Sequence, residues 1–491
     1  MADIRQRFEP LFYPKSLTLI GASRHPGKWG SVVLSHIIGG HFRGNIYPIH
    51  REEGEIQGLK TYPSIEALPE SPDLAVIVVP PSGVPAVLEE CTRKGIKAGI
   101  VITAGFAEVG AEGERLQEEM VRIAREGGMR FVGPNCFGII NTACNLSPTM
   151  PPIPAEPGHF AIVSQSGNVA GSLAGRLAAK GFGVSKLISS GNEADLHCED
   201  YFEYLAEDED TKVILSYIEG VRDGRKFLET AKRLTRKKPI IVIKAGHTSA
   251  GASAARSHTA ALAGSDTVFD AACKQAGIIR VRDVDEMFNV GAALLYQPLP
   301  KGRRIAMITA GGGWGVLGAD ACAESGLTLS QLPDEVITEL DEFLPAWWSR
   351  NNPVDLVAGT GEAGLLKAEE VLIRCSNVDG LILLNPRPGQ FQDTVTKGNK
   401  GSASGEAFGG MEDSFGEMFD RLMALATTYN KPILVAAEYS GYTPQLEAKV
   451  NELAAEIARG KSIVWYSLPN HAASVFVKLA QYAEYLRDTD S

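Results

Sequence analysis

The chain has 491 residues, of which 44% are hydrophobic and 22% are charged, and its formal net charge is −11. At roughly 100–200 residues per domain this length predicts about three domains, and the acidic balance excludes a typical nucleic-acid-binding protein, because affinity for the phosphate backbone needs a basic surface. The seven cysteines include no CxxC pair and no apolar stretch approaches the roughly 20 residues of a membrane span, so we expect a soluble, cytoplasmic protein with reduced thiols and without a zinc site.

The first part of the chain predicts a parallel sheet of βα units. Helical patterns separate its short apolar runs, which lie at 17–20, 45–49, 74–79, 99–102 and 130–132. A glycine-rich turn at 21–30 follows the first run and precedes a helical pattern. In a Rossmann fold this turn binds phosphate on backbone amides and on the N-terminus of the next helix. We therefore expect a phosphate-bearing ligand at this turn.

The end of the second strand indicates which ligand that is. The turn lacks the GxGxxG spacing of a nicotinamide-binding fold, and the strand ends in His50 and Arg51 where such a fold places an Asp or Glu. A basic end favours a ligand with an extra phosphate, such as coenzyme A (CoA) with its 3′-phosphate, and weighs against a Rossmann oxidoreductase. A glycine turn without any ligand is the alternative, because a fold alone does not give a function.

A second sheet is predicted after a proline-rich linker at 148–157. Its strands are predicted by apolar runs at 160–164, 184–188, 212–218 and 239–246. The first run leads through Ser166, Gly167 and Asn168 into a helix rich in small residues, which is a second helix N-terminus suited to an anion. Ligands of open α/β sheets bind outside the carboxyl ends of the strands. This rule places Ser166, Glu219 and the loop after the last strand at one edge.

That last loop carries His258 behind a run of small residues at 249–255. An imidazole can attack a phosphoryl group through one nitrogen while the other donates a hydrogen bond that fixes its tautomer. This property makes His258 a candidate phosphate carrier, with Glu219 as the candidate partner of its ring. The alternatives are a loop histidine before a helix, with Ser257 and Thr259 as caps, and a solvated glutamate at a strand end.

A third sheet opens with an apolar run at 305–309, which a glycine-rich turn and a helix follow. The order of strand, glycine turn and small-residue helix repeats the start of the second sheet at a constant offset, which predicts an internal duplication. The matched pairs are Ala161 with Ala306, Gly167 with Gly312, and Gly181 with Gly326. Two helix starts of the same kind would hold one phosphoryl group at two successive stages of a reaction. They lie at Gly167 and at Gly312 with Gly313.

A polar, Gly- and Ser-rich stretch at 386–413 interrupts this last part of the chain. Its composition predicts a flexible insertion. The fold is expected to resume with an apolar run at 432–436 and to end in an amphipathic helix through Tyr485.

Short motifs along the whole chain carry a family resemblance. They are the turn at 21–30, Gly133-Pro134-Asn135-Cys136, Ser164-Gln165-Ser166-Gly167, Ser190-Gly191-Asn192 with Asp195, Glu219, Ser257-His258-Thr259 and Asn352-Pro353-Val354-Asp355-Leu356. Together they resemble the nucleoside-diphosphate-forming acyl-CoA synthetases, relatives of succinyl-CoA synthetase, and in particular the α subunits of ADP-forming acetyl-CoA synthetases. One departure is Ala260, where the family's loop usually has glycine.

The resemblance implies an α/β fold with three domains. These are an N-terminal Rossmann-type CoA-binding domain at 1–147 and two flavodoxin-like parallel-sheet domains, a phosphohistidine domain at 158–300 and a ligase-CoA-type domain at 301–491. It also implies that His258 and Glu219 are catalytic. The candidate CoA-binding residues are Gly21, Ala22, Ser23, Pro26, Gly27, Gly30, Pro80 and Asn135. The candidate phosphate-binding residues are Ser166, Gly167, Asn168, Gly312 and Gly313.

The implied reaction converts an acyl-CoA, ADP and phosphate to an acid, ATP and CoA, through an acyl phosphate and phosphorylated His258. It needs an ATP-grasp module that holds ADP or ATP with Mg²⁺, and the chain shows no third Gly-rich nucleotide loop. We therefore expect a separate β subunit in an α2β2 heterotetramer, a small acyl-CoA or carboxylic acid substrate, and no metal on this chain. The alternative from another class is a non-catalytic CoA-binding sensor of the same fold, for which His258 would have no use.

Overall fold

The structure is a computed structural model that describes residues 4–248, 250–251, 265–309, 311–356, 362–386, 405–438, 444–460 and 463–490. The chain forms two compact units, Met1–Val284 and Asp285–Ser491. The first unit contains two large sheets and the second unit contains one. The predicted α/β fold built on parallel sheets is confirmed.

The first sheet has five parallel strands. They are β1 (Ser16–Ile20), β2 (Asn45–Ile49), β5 (Leu74–Ile77), β6 (Ala98–Val101) and β7 (Arg130–Val132), and a small hairpin consists of β3 (Gly54–Ile56) and β4 (Leu59–Thr61). The strand order is β2-β1-β5-β6-β7. The helices of this part are α1 (Ile4–Phe12), α2 (Trp29–Gly39), α3 (Val84–Lys94) and α4 (Ala111–Glu126). Because the strands are parallel, their carboxyl ends meet at one edge, where the turn at 21–30 begins.

The second sheet has six strands. They are β8 (Gly138–Asn141), β9 (Pro157–Ser164), β10 (Val184–Ser189), β11 (Val213–Ile218), β12 (Ile240–Lys244) and β13 (Ile279–Val281), in the order β13-β12-β11-β9-β10-β8. Its described helices are α5 (Gly167–Ala179), α6 (Cys198–Glu207), α7 (Gly224–Leu234) and α8 (Asp266–Ala276). Strand β8 runs antiparallel to β10, and the other neighbours are parallel. Since β8 precedes the proline-rich linker, the predicted domain boundary at 147 does not coincide with the boundary between the sheets.

One of the hydrophobic cores of the first unit is shared by its two sheets. Phe8 and Phe12 of α1 pack against Tyr204 of α6, with ring centroids 5.4 and 4.4 Å apart. The same core contains Leu19 of β1 and Val163 of β9. This sharing explains why two domains predicted as separate form a single unit.

The second unit is built on a sheet of parallel strands. They are β14 (Arg304–Thr309), β15 (Thr328–Leu329), β16 (Val354–Asp355), β17 (Gly380–Leu384), β18 (Ile433–Ala436) and β19 (Trp465–Tyr466), in the order β15-β14-β17-β18-β19 with β16 beside β14. Its described helices are α9 (Val284–Tyr296), α10 (Gly312–Glu324), α11 (Asp334–Asp341), α12 (Glu362–Arg374), α13 (Gly405–Tyr429), α14 (Pro444–Gly460) and α15 (Pro469–Asp490).

Part of the stretch predicted as a flexible insertion is helical. Of residues 386–413, positions 387–404 lie outside the described residues, and α13 begins at Gly405. The helix continues far beyond the polar stretch, and its buried residues include Phe415 and Phe419, which stack at 5.9 Å. The apolar second half of the helix packs into the core and explains why the helix forms.

Candidate functional site

A cleft of about 1170 Å³ opens at the carboxyl edge of the first sheet. Residues that follow four neighbouring strands line it, together with Asn135, Cys136 and Phe137. Of the residues predicted to bind CoA, those that line the cleft are Gly21, Ala22, Ser23, Gly27, Gly30, Pro80 and Asn135. Pro26 lies in the same turn but is not among the lining residues. The structure therefore brings together side chains that are far apart in the chain.

Two glycines let the turn at 21–30 pack closely against the sheet. Gly21 has a φ of +98°, and a Cβ there would lie 2.2 Å from the carbonyl oxygen of Val78. A Cβ on Gly30 would lie 1.9 Å from the carbonyl oxygen of Gly21. Helix α2 begins beside these glycines, and its capping residue, Lys28, makes no side-chain cap. The Ser31 and Val32 amides donate to the Lys28 carbonyl oxygen at 2.9 and 3.1 Å, whereas the first two amides of a helix have no partner within it. This helix start can therefore bind an anion at the cleft.

The cleft also contains the basic end of the second strand. His50, Arg51 and Glu52 all line it. Glu52 pairs with Arg24 at 2.8 Å, whereas Arg51 makes no ion pair with a residue that the structure describes. A cation without a carboxylate partner can bind an anionic group of a ligand, in line with the prediction from the sequence.

The predicted phosphate site at Ser166 lies at the start of α5. Ser166 is the N-cap, and its side chain accepts a hydrogen bond from the amide of Val169 at 3.4 Å. The Ser164 hydroxyl donates to the Ser166 carbonyl oxygen at 2.7 Å. Gly167 is the first residue of the helix, and a Cβ there would lie 2.4 Å from the Phe137 ring. This helix start is therefore fixed from both sides, with Asn168 in its first turn.

The second unit repeats this arrangement at the start of α10. Gly311 is the N-cap, and the Thr309 hydroxyl donates to its carbonyl oxygen at 2.8 Å. Thr309 and Gly311 occupy the positions that correspond to Ser164 and Ser166 at the constant offset of the sequence repeat. Gly312 and Gly313, both predicted to bind phosphate, are the first two residues of α10. The same hydroxyl contact in both copies supports the predicted duplication.

Glu219 follows β11, and hydrogen bonds to its backbone groups fix its position. Its amide donates to Gln165 Oε1 at 2.6 Å, and its carbonyl oxygen accepts from Lys244 Nζ at 2.7 Å. Burial lowers the pKa of Lys244, which sits at the end of the neighbouring strand β12. The Glu219 side chain is buried. His258 lies outside the described residues, so its distance from Glu219 stays a prediction.

The loop after β10 connects this edge to the cleft. The Asn192 side chain donates to Glu108 Oε2 at 2.6 Å and to Gln117 Oε1 at 3.0 Å, and its Oδ1 accepts from Asn135 at 3.2 Å. Burial opposes ionisation of Glu108, but hydrogen bonds from the Gly105 amide and from Asn192 hold the pKa of its carboxyl below the usual range. Asn135 lines the cleft, so these contacts join the cleft wall to the second sheet.

Sequence reasoning missed three residues at this edge, namely Gln165, Glu108 and Lys244. Gln165 was visible only as a member of a family motif, and its position directly after β9 was the one signal of its role. Glu108 and Lys244 act through contacts with residues distant in the chain, which no local pattern predicts.

The described part of the chain contains no group of three or more His, Cys, Asp or Glu residues placed to hold a metal ion. None of its helices is both long and apolar enough to cross a bilayer.

Comparison with family profiles assigns three consecutive matches. A CoA binding domain matches residues 15–142, a succinyl-CoA ligase like flavodoxin domain matches 157–294, and a ligase-CoA domain matches 305–383. Together these matches cover most of the chain.

The chain is also similar to named proteins over its whole length. The α subunit of ADP-forming acetate–CoA ligase II from Pyrococcus furiosus is 39% identical over 475 residues, which are 96% of this chain and 97% of that subunit. The dinucleotide forming acetyl-coenzyme A synthetase 1 of Ca. Korarchaeum cryptofilum, solved with phosphate and ADP, has a TM-score of 0.83 at 32% identity and matches 99% of each chain. ADP-forming acetate–CoA ligase I of Archaeoglobus fulgidus is 42% identical over 77% of this chain, but the match covers only 55% of that protein.

Proposed function

Because this chain belongs to the family of ADP-forming acetate–CoA ligases, we propose that it is the CoA-binding, phosphoryl-carrying α subunit of an acid–thiol ligase of this kind. The observation that carries the proposal is its 39% identity to a named α subunit, along 97% of that subunit. The overall reaction is acyl-CoA + ADP + phosphate to acid + ATP + CoA.

The first step of the proposed mechanism uses the cleft of the first sheet. CoA lies with its pyrophosphate at the start of α2 and its 3′-phosphate near the end of β2, where Arg51 provides a positive charge. An oxygen of inorganic phosphate attacks the thioester carbonyl carbon, the C–S bond breaks, and the products are an acyl phosphate and CoA. The helix start at Gly167 holds the phosphate oxygens on backbone amides, and the equivalent helix start at Gly312 in the second unit is a second candidate phosphate-binding position.

The second step transfers the phosphoryl group to His258. One ring nitrogen attacks the phosphorus of the acyl phosphate, the P–O bond to the acyl group breaks, and the carboxylic acid leaves. Glu219 accepts the hydrogen bond of the other ring nitrogen and stabilises the positive charge that develops on the ring. Positioning and charge are most of what phosphoryl transfer requires of a protein.

The third step needs a nucleotide site, which we place on a partner. In the proposal, phosphorylated His258 passes its phosphoryl group to ADP on an ATP-grasp β subunit, where bound Mg²⁺ would neutralise the phosphate charge. The match to the Archaeoglobus fulgidus ligase supports this division, since 45% of that protein lies outside the match of 55%. The purified chain alone should then make no ATP from acyl-CoA, ADP and phosphate, and turnover by the lone chain contradicts the proposal.

The decisive experiment labels the histidine. Phosphohistidine is labile in acid and stable in base, so incubation with acyl-CoA and radioactive phosphate should leave a label that acid removes and alkali spares. His258→Ala should lose the label and the turnover of the complex while CoA binding is retained. Glu219→Gln should label more slowly. His247→Ala is the matched control, because His247 is an exposed histidine shortly before the same loop, and it should label as the wild type does.

The same experiment separates the rival function. A non-catalytic CoA sensor would bind CoA equally well but would take up no label, with or without His258. Labelling that survives His258→Ala would place the nucleophile elsewhere and overturn the mechanism.

A further inference from the structure

Gln165 lies at the centre of four hydrogen bonds at the edge of the second sheet. Its Oε1 accepts from the amides of Glu219 and Gly220, at 2.6 and 3.0 Å. Its Nε2 donates to the Gly220 carbonyl oxygen at 2.8 Å and to Glu193 Oε2 at 2.9 Å. One side chain thus holds the amide of Glu219 and both the amide and the carbonyl oxygen of Gly220.

Glu193 is the only acidic partner of this amide among the described residues. It is 3% exposed, and its other oxygen accepts from the Ser190 hydroxyl at 2.7 Å. Its backbone has a φ of +49°, which is uncommon for a residue other than glycine. A buried carboxylate on such a backbone conformation costs stability.

We propose that Gln165 and Glu193 form a positioning pair that holds the backbone of Glu219 and so fixes the direction of its carboxylate toward the phosphoryl site. The inference rests on the catalytic role proposed for Glu219. Neither residue touches the reacting atoms; both act through the peptide groups at 219 and 220.

The geometry gives the reason for a carboxylate at 193. A primary amide has nearly the same shape after a 180° rotation, so its orientation is decided by its partners. If Gln165 rotated, its NH2 group would face the two amide donors of Glu219 and Gly220, and its oxygen would face the Gly220 carbonyl oxygen and the Glu193 carboxylate. All of these contacts would be repulsive, and the carboxylate therefore adds a charged acceptor to the backbone groups that favour the orientation in which Glu219 is held.

The charge of Glu193 is sensitive to pH near neutrality. Burial raises its pKa to about 7, although hydrogen bonds from Ser190 and Gln165 oppose the shift. The titratable groups around it are His197, which favours its charged form, Glu199, which disfavours it, and Cys198 and Tyr201, while Lys226 pairs with Glu199 at 3.4 Å. Protonation replaces a charge-assisted hydrogen bond to Gln165 by a weaker neutral one. The hold on Glu219 should thus weaken as the pH falls through about 7.

The test compares three variants in the complex of the chain with its β subunit. Glu193→Ala and Gln165→Ala should each lower kcat on the order of 10- to 100-fold, because a small displacement of a catalytic group has such effects, and should leave KM for acyl-CoA unchanged. Glu193→Gln can still accept from Gln165 and should restore most of kcat at pH 7. Its rate should also lose the inflection near pH 7 that the wild type shows. Glu229→Ala, which removes an exposed glutamate from α7, is the control and should behave as the wild type.

The outcomes distinguish this inference from the proposed function. If the wild type labels at His258 but Glu193→Ala and Gln165→Ala keep wild-type kcat, the positioning pair is wrong and the function stands. If the wild type takes up no label, the function itself fails. Should Glu193→Ala not fold, Glu193→Gln decides the matter, because a pH profile identical to that of the wild type overturns the inference.

Discussion

Asp195 joins the loop after β10 to the first sheet, and its removal should destabilise the first unit measurably. Its carboxylate is fully buried and accepts from Arg125 Nε at 2.9 Å, from Arg130 Nε at 2.7 Å and from the Phe131 amide at 3.1 Å. In Asp195→Ala the buried Phe131 amide loses its partner, which costs about 1–3 kcal/mol. The arginine side chains are 53% and 34% exposed and regain water, so each contributes only about 0.5–1 kcal/mol. The expected total is about 2–5 kcal/mol.

Hydrogen exchange at Phe131 measures this effect locally. The amide should exchange roughly 30- to 4000-fold faster in Asp195→Ala, which is the same free energy expressed as a ratio of exchange rates. Urea unfolding should show the loss globally. The matched control is Glu126→Gln on α4, which breaks an exposed pair with Arg122 on the same helix and should cost less than about 0.5 kcal/mol. A loss below 1 kcal/mol in Asp195→Ala, or unchanged exchange at Phe131, would refute the reasoning.

Further predictions concern the cleft. Gly27→Trp should weaken CoA binding at least 10-fold in calorimetry while the far-ultraviolet circular dichroism is retained, because a Cβ at Gly27 meets no atom within 4 Å and its positive φ costs only about 1–2 kcal/mol. Dephospho-CoA should bind to the wild-type chain more weakly than CoA does. If the wild-type chain binds NADH more tightly than CoA, the assignment of CoA as the ligand of the cleft is wrong. Cys136 should resist alkylation by iodoacetamide at pH 8 in the native protein, because burial raises the pKa of its thiol to about 12. Rapid modification of Cys136, found by mass spectrometry, would show that the thiol is exposed and ionised.

The parallel sheets could be predicted because strands that are buried on both faces appear in the sequence as short apolar runs. Short stretches of sequence likewise reveal the glycine turn at 21–30 and the repeat that relates 164 to 309. The structure places both features at the ends of strands. Strand β8 could not be predicted, since its four residues give no signal and its pairing with β10 depends on the tertiary fold. The contact of Gln165 with Glu193 joins separate loops, and its partners become neighbours only when the strands align.

The shared core of the first unit limits how the protein can be cut into fragments. The proline-rich linker at 148–157 is the natural place to divide the chain for expression. A fragment that starts there would lose β8 and leave the edge of β10 unpaired, and without α1 it would expose Tyr204. Open strand edges and bare aromatic surface are templates for aggregation. Fragments intended for study should therefore keep residues 4–284 together, whatever the pattern of prolines suggests.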